Sequence, residues 1–256
     1  VFVLKYTNFE KIINIKKLKI RLLKMIKFIA PSIKYRSNAH PKTFGWDWKQ
    51  TNFNRLALVN YLVSKTNGWE SHYLEIGCDG NSLFNSVAVK NKFGVDPVSG
   101  GNIKMTSDEF FKNNNLTFDV IFVDGLHNYQ QTRRDALNSL KFIKDPGWIA
   151  FHDFLPRSWK EHHVPRLQKS WTGDCWKLAV ELMAAEGLEF KIIEIDHGVG
   201  LLRKVSDKWA VPDFSSDLID AQFDVFVEKV KTFPLISFDD AVAMVTASHN
   251  ENGWTG

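Results

Sequence analysis

Residues 73–82 read YLEIGCDGNS, an apolar run from Tyr73 to Ile76 that breaks into two glycines, Gly77 and Gly80. A short apolar run ending in glycines predicts a buried strand and a tight turn, because glycine accepts the left-handed backbone such a turn uses. The helix expected next would present free N–H groups and its positive dipole end, a place where a ligand carboxylate can rest. By themselves the glycines fit an ordinary strand-to-helix turn equally well. The spacing departs from the dinucleotide pattern G-x-G-x-x-G, since Glu75 stands where the first glycine belongs, and this argues against a nicotinamide cofactor.

Working outward, the same pattern repeats. Phe93 to Val95 ends in Asp96-Pro97, Phe118 to Val123 ends in Asp124-Gly125, and Trp148 to Phe151 ends in His152-Asp153. Helical spacing fills the gaps at Leu83 to Lys90, Ser107 to Asn113, Tyr129 to Ile143 and Cys175 to Glu186. Strands alternating with helices predict a parallel sheet covered on both faces. Lys191 to Ile195 and Val199 to Lys204 are separated only by Asp196-His197-Gly198, too short for a crossover helix, so they are expected to pair as an antiparallel hairpin. The predicted class is therefore α/β, a mainly parallel sheet finished by that hairpin. Upstream, Phe53 to Ser64 has helical spacing with a stop at Asn67-Gly68, and downstream Ser216 to Lys231 and FPLISFDDAVAMV are expected as helices.

The chain has 256 residues, 44% hydrophobic and 24% charged, which suits one large α/β domain and excludes general disorder. Its net charge of +4 is unevenly spread: residues 1–45 carry eleven Lys or Arg and one acid, Glu10, for +10, leaving −6 on the remainder. Basicity is thus a property of the N-terminal arm and says nothing about what the body binds. Three segments follow: a basic amphipathic arm over 1–36, the main domain over 37–206 and a helical extension over 207–256. Within the arm, Ile15, Leu18, Leu22, Met25 and Ile29 recur at helical spacing between lysines, and Pro31 is expected to end the helix. Such a helix can pack on the body or on a second subunit in a homo-oligomer, or lie on an anionic membrane surface through residues 9–30. Nucleic acid is not the expected partner. No apolar run is long enough to span a membrane, and the scattered lysines break any signal-peptide core. Two cysteines, Cys78 and Cys175, make neither a disulfide framework nor a metal motif, so a reducing cytoplasm is the expected compartment. The chain starts at Val1, which leaves its natural start open.

In open α/β sheets ligands bind at the carboxyl ends of the strands. Asp96, about twenty residues beyond the glycine turn, is placed to accept both hydroxyls of a ribose, or else is a turn residue before Pro97. Neighbouring strands would bring Asp124 and Asp153 together, and two such carboxylates call for a cation or proton between them, which favours a hard divalent ion such as Mg²⁺. His127 lies one turn beyond Asp124, as a general base for an attacking hydroxyl or as a helix cap.

From Tyr73 to Lys204 the sequence resembles the class I S-adenosylmethionine methyltransferases of the macrocin and mycinamicin O-methyltransferase type, including bacterial members found with glycan-biosynthesis genes. The motifs that carry it are YLEIGCDGNS, GVDP, MTSDEFF, FDVIFVDGLHNYQQTRRDALNSL, DPGWIAFHD, WTGDCWK and DHGVG. The resemblance implies a Rossmann-like fold with a seven-stranded sheet, and S-adenosylmethionine contacts at Glu75, Gly77, Gly80, Ser82, Asp96 and Asp124, with adenine near Ser107 and Asp108. It further implies Mg²⁺ on Asp124 and Asp153 in metal-dependent members, with His127 as base. His152 stands where those enzymes often have a third acidic ligand, and it can ligate in its place. The acceptor, a small polar molecule such as a sugar or glycan precursor, is expected beside Trp171, Asp174, Trp176 and Lys177, under a lid formed by Pro156 to Ser170, or else the tryptophans pack in the core. His162-His163 reads as a solvated pair. Two other readings are a cofactor-binding scaffold that recruits partners or membrane without turnover, and a nicotinamide oxidoreductase.

Overall fold

The computed structural model describes residues 27–251. Residues 1–26 of the basic arm, with most of its expected helix, lie outside the described residues. Helical backbone runs over 27–34 and passes through Pro31, which was expected to end it. Proline withholds one donor, but its own carbonyl still accepts from the Tyr35 N–H at 2.9 Å, so the helix continues for one more turn.

Seven strands form one sheet: β1 (His72–Ile76), β2 (Asn91–Val95), β3 (Phe118–Val123), β4 (Ile143–Phe151), β5 (Leu188–Ile193), β6 (Val199–Lys204) and β7 (Leu235–Ile236). Their spatial order is β2-β1-β3-β4-β6-β5-β7. β1 to β4 are mutually parallel, and β6 runs antiparallel to both β4 and β5. The helices are α1 (Arg55–Ser64), α2 (Ser82–Ser86), α3 (Ser107–Asn113), α4 (Tyr129–Phe142), α5 (Trp159–His162), α6 (Trp176–Met183), α7 (Ser215–Leu218), α8 (Phe223–Lys229) and α9 (Phe238–Glu251). This is the Rossmann-like arrangement expected, and the strand positions agree within a few residues. Among the described residues no helix is long and apolar enough to cross a membrane.

The central strands are apolar at consecutive positions because both faces are covered. Leu74, Ile76, Ile121, Val123, Ile149 and Phe151 point into one core with α4, α6 and α8. Their alternates Tyr73, Val120, Phe122, Trp148 and Ala150 point into the other, against Leu58, Val59 and Leu62 of α1 and Ala241 and Val245 of α9. Period-two alternation thus yields two apolar faces from one run. Side-chain caps set the starts of α1, α3 and α4. Asn54 accepts from the Leu56 and Ala57 N–H groups, Thr106 and Glu109 form a reciprocal capping box, and Asn128 accepts from the Gln131 N–H.

The tail differs from expectation in two ways. The single helix expected over Ser216 to Lys231 is split into α7 and α8, and the break exposes the Ile219 carbonyl to the buried Lys177 ammonium at 2.9 Å. FPLISFDDAVAMV begins as a strand: β7 pairs in parallel with β5, Ile192 opposite Leu235 and Ile193 opposite Ile236, before α9 starts. The segment beyond residue 206 therefore completes the sheet edge rather than standing apart as a helical extension. Phe226 joins it to the main core, fully buried among Phe44, Trp46, Trp176, Phe223 and Phe233. Phe226→Ala is expected to cost about 3 to 5 kcal/mol of unfolding free energy, measured by urea denaturation. A change below about 1 kcal/mol would show that the tail does not share the domain's core.

Candidate functional site

The site begins at the carboxyl end of β1. The Gly77 N–H donates to the Val95 carbonyl at 2.9 Å, and the Asp124 N–H donates to the Ile76 carbonyl at 2.8 Å, so the ends of β2 and β3 grip the turn from both sides. Gly77 has φ +82°, and a Cβ there would overlap the Asp124 carbonyl oxygen. Glycine is required on both counts. Asp79 and Asn81 are also left-handed, with φ of 42° and 61°. α2 follows as a five-residue helix, shorter than expected, with Gly80 and Ser82 on the cavity wall. Glu75 is buried, and the Tyr73 hydroxyl donates to its Oε2 at 2.6 Å. Burial pushes its carboxyl up to about 7, against the opposing effect of that hydrogen bond.

Asp96 ends β2 on the same wall, but its carboxylate is already engaged. Oδ2 accepts from the N–H groups of Cys78 and Asp79, each at 3.0 Å, and Oδ1 from those of Val98 and Ser99 at 2.9 and 2.8 Å. A carboxylate offers about four acceptor positions, so none is left for ribose hydroxyls in this geometry. Asp96 lines the cavity and braces the glycine turn against the next loop. Although burial opposes its charge, these four donors hold its carboxyl below the usual aspartate range.

The cavity, of about 880 Å³, runs from this turn to the ends of β3 and β4. Near one end lie Ser107 and Asp108 on the first turn of α3, with Gln131 and Asp135 of α4 facing them. Val98 and Leu126, 87% and 60% exposed, stand at its rim.

At the other end Asp124, His127, His152 and Asp153 converge. His127 Nδ1 lies 2.8 Å from Asp153 Oδ2, and its Nε2 lies 3.5 Å from Asp124 Oδ1. His152 Nδ1 is 3.2 Å from Asp124 Oδ1 and 3.3 Å from Asp153 Oδ1. Asp196 extends the cluster, 3.6 Å from His152 Nε2 and 2.6 Å from Arg55 Nη1. Burial opposes every charge here, yet mutual compensation dominates. The carboxyls of Asp124, Asp153 and Asp196 are held well below their ordinary range by their imidazole and guanidinium neighbours. Hydrogen bonds to Asp124 and Asp153 raise His127 to about 10, and the same two acids raise His152 well above its usual value. Asp153 is held left-handed, φ 69°, where the His197 and Gly198 carbonyls accept the Leu155 and Phe154 N–H groups at 2.8 and 3.1 Å.

Two carboxylates and one imidazole, with ligand atoms all within 4.8 Å of one another, make a donor set that a divalent cation fits. The two carboxylates suit Mg²⁺ or Mn²⁺, whereas the imidazole favours a transition ion over Mg²⁺.

The acceptor-side residues separate. Trp171 lines the cavity, its ring stacked on that of His127 at 5.0 Å and 9°. Asp174, Trp176 and Lys177 are buried structural groups instead. Asp174 accepts the Tyr129 N–H at 2.7 Å and pairs with Lys177 at 2.8 Å, while the fully buried Trp176 donates its indole N–H to His162 Nδ1 at 2.8 Å. Each has its hydrogen bonds satisfied inside the core, which removes it from acceptor binding. His162 and His163 are buried rather than solvated, and burial with the nearby Lys177 pushes His162 down to about 3. The segment expected as a lid is pinned around buried Glu161, which accepts from the Arg157 N–H at 2.6 Å and pairs with its guanidinium at 2.7 Å. Arg55, Asp196, His197, Gln131 and Asp135 line the cavity without having been anticipated. The one available signal was an acid and a histidine together in the turn of the closing hairpin.

Residues 100–154 match the family model described as a methyltransferase domain, and the match spans β3, α4 and the Asp124 to Asp153 cluster. No curated protein matches the sequence significantly. Among solved structures, a Corynebacterium glutamicum protein is 9% identical, with 73% of this chain and 91% of that one covered at a TM-score of 0.46. The SAH-bound methyltransferase PaMTH1 of Podospora anserina is 16% identical, with 68% and 94% covered at 0.45. The MycE methyltransferase from the mycinamycin biosynthetic pathway, in complex with Mg and SAH, is 14% identical, with 67% and 52% covered at 0.40.

Asp96→Asn removes two of the four accepted hydrogen bonds and is expected to lower stability by about 2 kcal/mol or more. Because the folded carboxyl is depressed, this contribution is present in full above the ordinary aspartate value near 4 and is lost as pH falls through the folded value. Denaturation of parent and variant should therefore differ by a constant amount from neutrality to about pH 4 and converge below it. A gap that widens on acidification would contradict the brace.

Proposed function

We propose that the chain is an S-adenosylmethionine-dependent O-methyltransferase acting on a hydroxyl of a small polar acceptor, with a sugar or glycan precursor as the substrate class. The observation that carries this reading is one continuous cavity that joins the left-handed glycine turn after β1 to the Asp124, His127, His152 and Asp153 cluster. Its size suits a nucleoside cofactor together with part of an acceptor.

S-Adenosylmethionine supplies an electrophilic methyl group on its sulfonium sulfur. The chain supplies binding and proton handling. Gly77 and Gly80 admit the ligand close to the backbone, Ser107 and Asp108 offer polar groups to its base, and Val98 and Leu126 offer apolar surface to the base's faces. Bound S-adenosylmethionine would supply the methyl group to the acceptor oxygen and leave as S-adenosylhomocysteine, and the His127 imidazole would take the hydroxyl proton. Hydrogen bonds to Asp124 and Asp153 raise the His127 imidazole, so it would accept that proton once those two acids are engaged elsewhere. Asp124, His152 and Asp153 would hold a divalent cation, which would supply that compensation and favour ionisation of the hydroxyl. Arg55, His197 and Trp171, at the same end of the cavity, are polar and aromatic groups of the kind that hold a hydroxyl-bearing acceptor.

Calorimetric titration with S-adenosylhomocysteine should show one-to-one binding, and no heat with demonstrably folded protein would overturn the reading. His127→Ala should keep that affinity while turnover falls by about two to four orders of magnitude. Turnover within about twofold of the parent would remove His127 as the base. Exhaustive chelation should abolish turnover, with recovery on adding Mg²⁺ or Mn²⁺, and unchanged turnover would remove the metal.

A further inference from the structure

The helix over 27–34 lines no part of the cavity and turns an apolar face to solvent. Ile29 and Ile33, 48% and 68% exposed, lie four residues apart and so about 40° apart around the helix axis. Exposed Ala30 widens that face and exposed Lys27 and Lys34 flank it, while the half-buried Phe28, Pro31 and Ser32 take the opposite side. Contacts just beyond the helix tie it to the body. The Tyr35 ring lies 4.6 Å from that of His163, and the Asn38 amide donates to Gln222 Oε1 at 3.2 Å. The chain then passes Phe44, whose N–H donates to the Arg157 carbonyl at 2.9 Å, and reaches Trp48, whose ring lies 5.9 Å from that of the cavity residue His197.

The charge around this face has one sign. Ten Lys or Arg and no acid stand between Glu10 and Asp47, and the apolar spacing of Ile15, Leu18, Leu22 and Met25 runs on in the sequence through Ile29 to Ile33. Among the described residues, Lys34 and Lys42 rest over the rings of Tyr35 and Phe44, at 5.1 and 5.3 Å, with no carboxylate paired to them. Two isoleucines fall far short of the about 800 Å² per partner that a stable protein interface buries. The phosphates of a nucleic acid would match the lysines and leave the isoleucines in water. An anionic bilayer takes both features together. The isoleucines enter the boundary between headgroups and acyl chains, the lysine stems lie along it with their ammonium groups among the phosphates, and each cation near the surface strengthens binding about fivefold. We propose that the helix over 27–34 is a membrane-docking surface that lies flat on anionic phospholipid through Ile29 and Ile33, with Lys27 and Lys34 at its edge. Residues 46–256 carry a net charge of −6 and are repelled by the same lipid, which confines the contact to the basic side of the molecule. This docking does not depend on the S-adenosylmethionine reading.

The test is co-sedimentation of the full chain with vesicles of phosphatidylcholine and phosphatidylglycerol, against vesicles of phosphatidylcholine alone. The parent should bind the anionic vesicles at least about fivefold more tightly, with the preference shrinking as salt is raised, and a smaller preference overturns the proposal. The double variant Ile29→Asn with Ile33→Asn should bind them at least about fivefold more weakly at an unchanged unfolding midpoint, since both side chains stand largely in solvent. A smaller loss means that charge alone holds the chain, and it overturns the apolar contact on which the proposal stands. Should that variant lower the midpoint, Ile29→Ala with Ile33→Ala makes the same comparison with a residue that favours the helix. Lys27→Gln with Lys34→Gln should also weaken binding at least about fivefold, and an unchanged affinity overturns the placement of the helix at the lipid surface. Self-association in sedimentation equilibrium without vesicle binding would assign the face to a second copy, and binding of duplex RNA without vesicle binding would assign it to nucleic acid. Either result overturns the proposal.

Discussion

Three aspartates and three cationic side chains face one another at the carboxyl ends of β3 and β4 and in the β5–β6 turn. Asp124, Asp153 and Asp196 would repel strongly in so confined a space, and His127, His152 and Arg55 neutralise them in short contacts. Each of these residues comes from a different local context: Asp124 and His127 from the loop after β3, His152 and Asp153 from the end of β4, Asp196 from the hairpin turn, and Arg55 from the start of α1. The cluster therefore fixes the mutual placement of four chain segments. Losing one member strands its partners as uncompensated buried charges, a larger penalty than the loss of a single contact.

The sheet was legible in the sequence because each central strand, covered on both faces, leaves an unbroken apolar signature punctuated by an acid or glycine. The hairpin was legible from the shortness of Asp196-His197-Gly198. The split between α7 and α8 was not, because the Ile219 carbonyl freed at the break is satisfied by the remote Lys177 ammonium rather than by a local donor. β7 was missed for a related reason: two residues carry no periodicity, and their strand character comes from hydrogen bonds to β5.

At the site, strand-end positions were readable and side-chain duties were not. Asp124, His127, His152 and Asp153 meet as their places in the alternation required. Trp176, Asp174 and Lys177 looked like a polar and aromatic binding surface, and only their hydrogen bonds inside the core distinguish structural from ligand-facing roles. Asp96 was expected at the cavity wall and is there, yet its four backbone partners come from two loops whose approach no local pattern encodes. Asp135 gave no signal beyond its spacing from Gln131, because a buried acid on an amphipathic helix is indistinguishable in sequence from a solvated one.

β7 and α9 come from the last part of the chain, yet β7 borders β5 and α9 covers α1 through Ala241 and Val245. During synthesis from the amino end, all the residues of the cavity are made while one flank of the sheet is still bare. The apolar face that α9 finally covers must stay out of contact with other chains until the closing segment has emerged. The order of manufacture thus leaves the half that bears the cavity waiting on a segment that lines none of it.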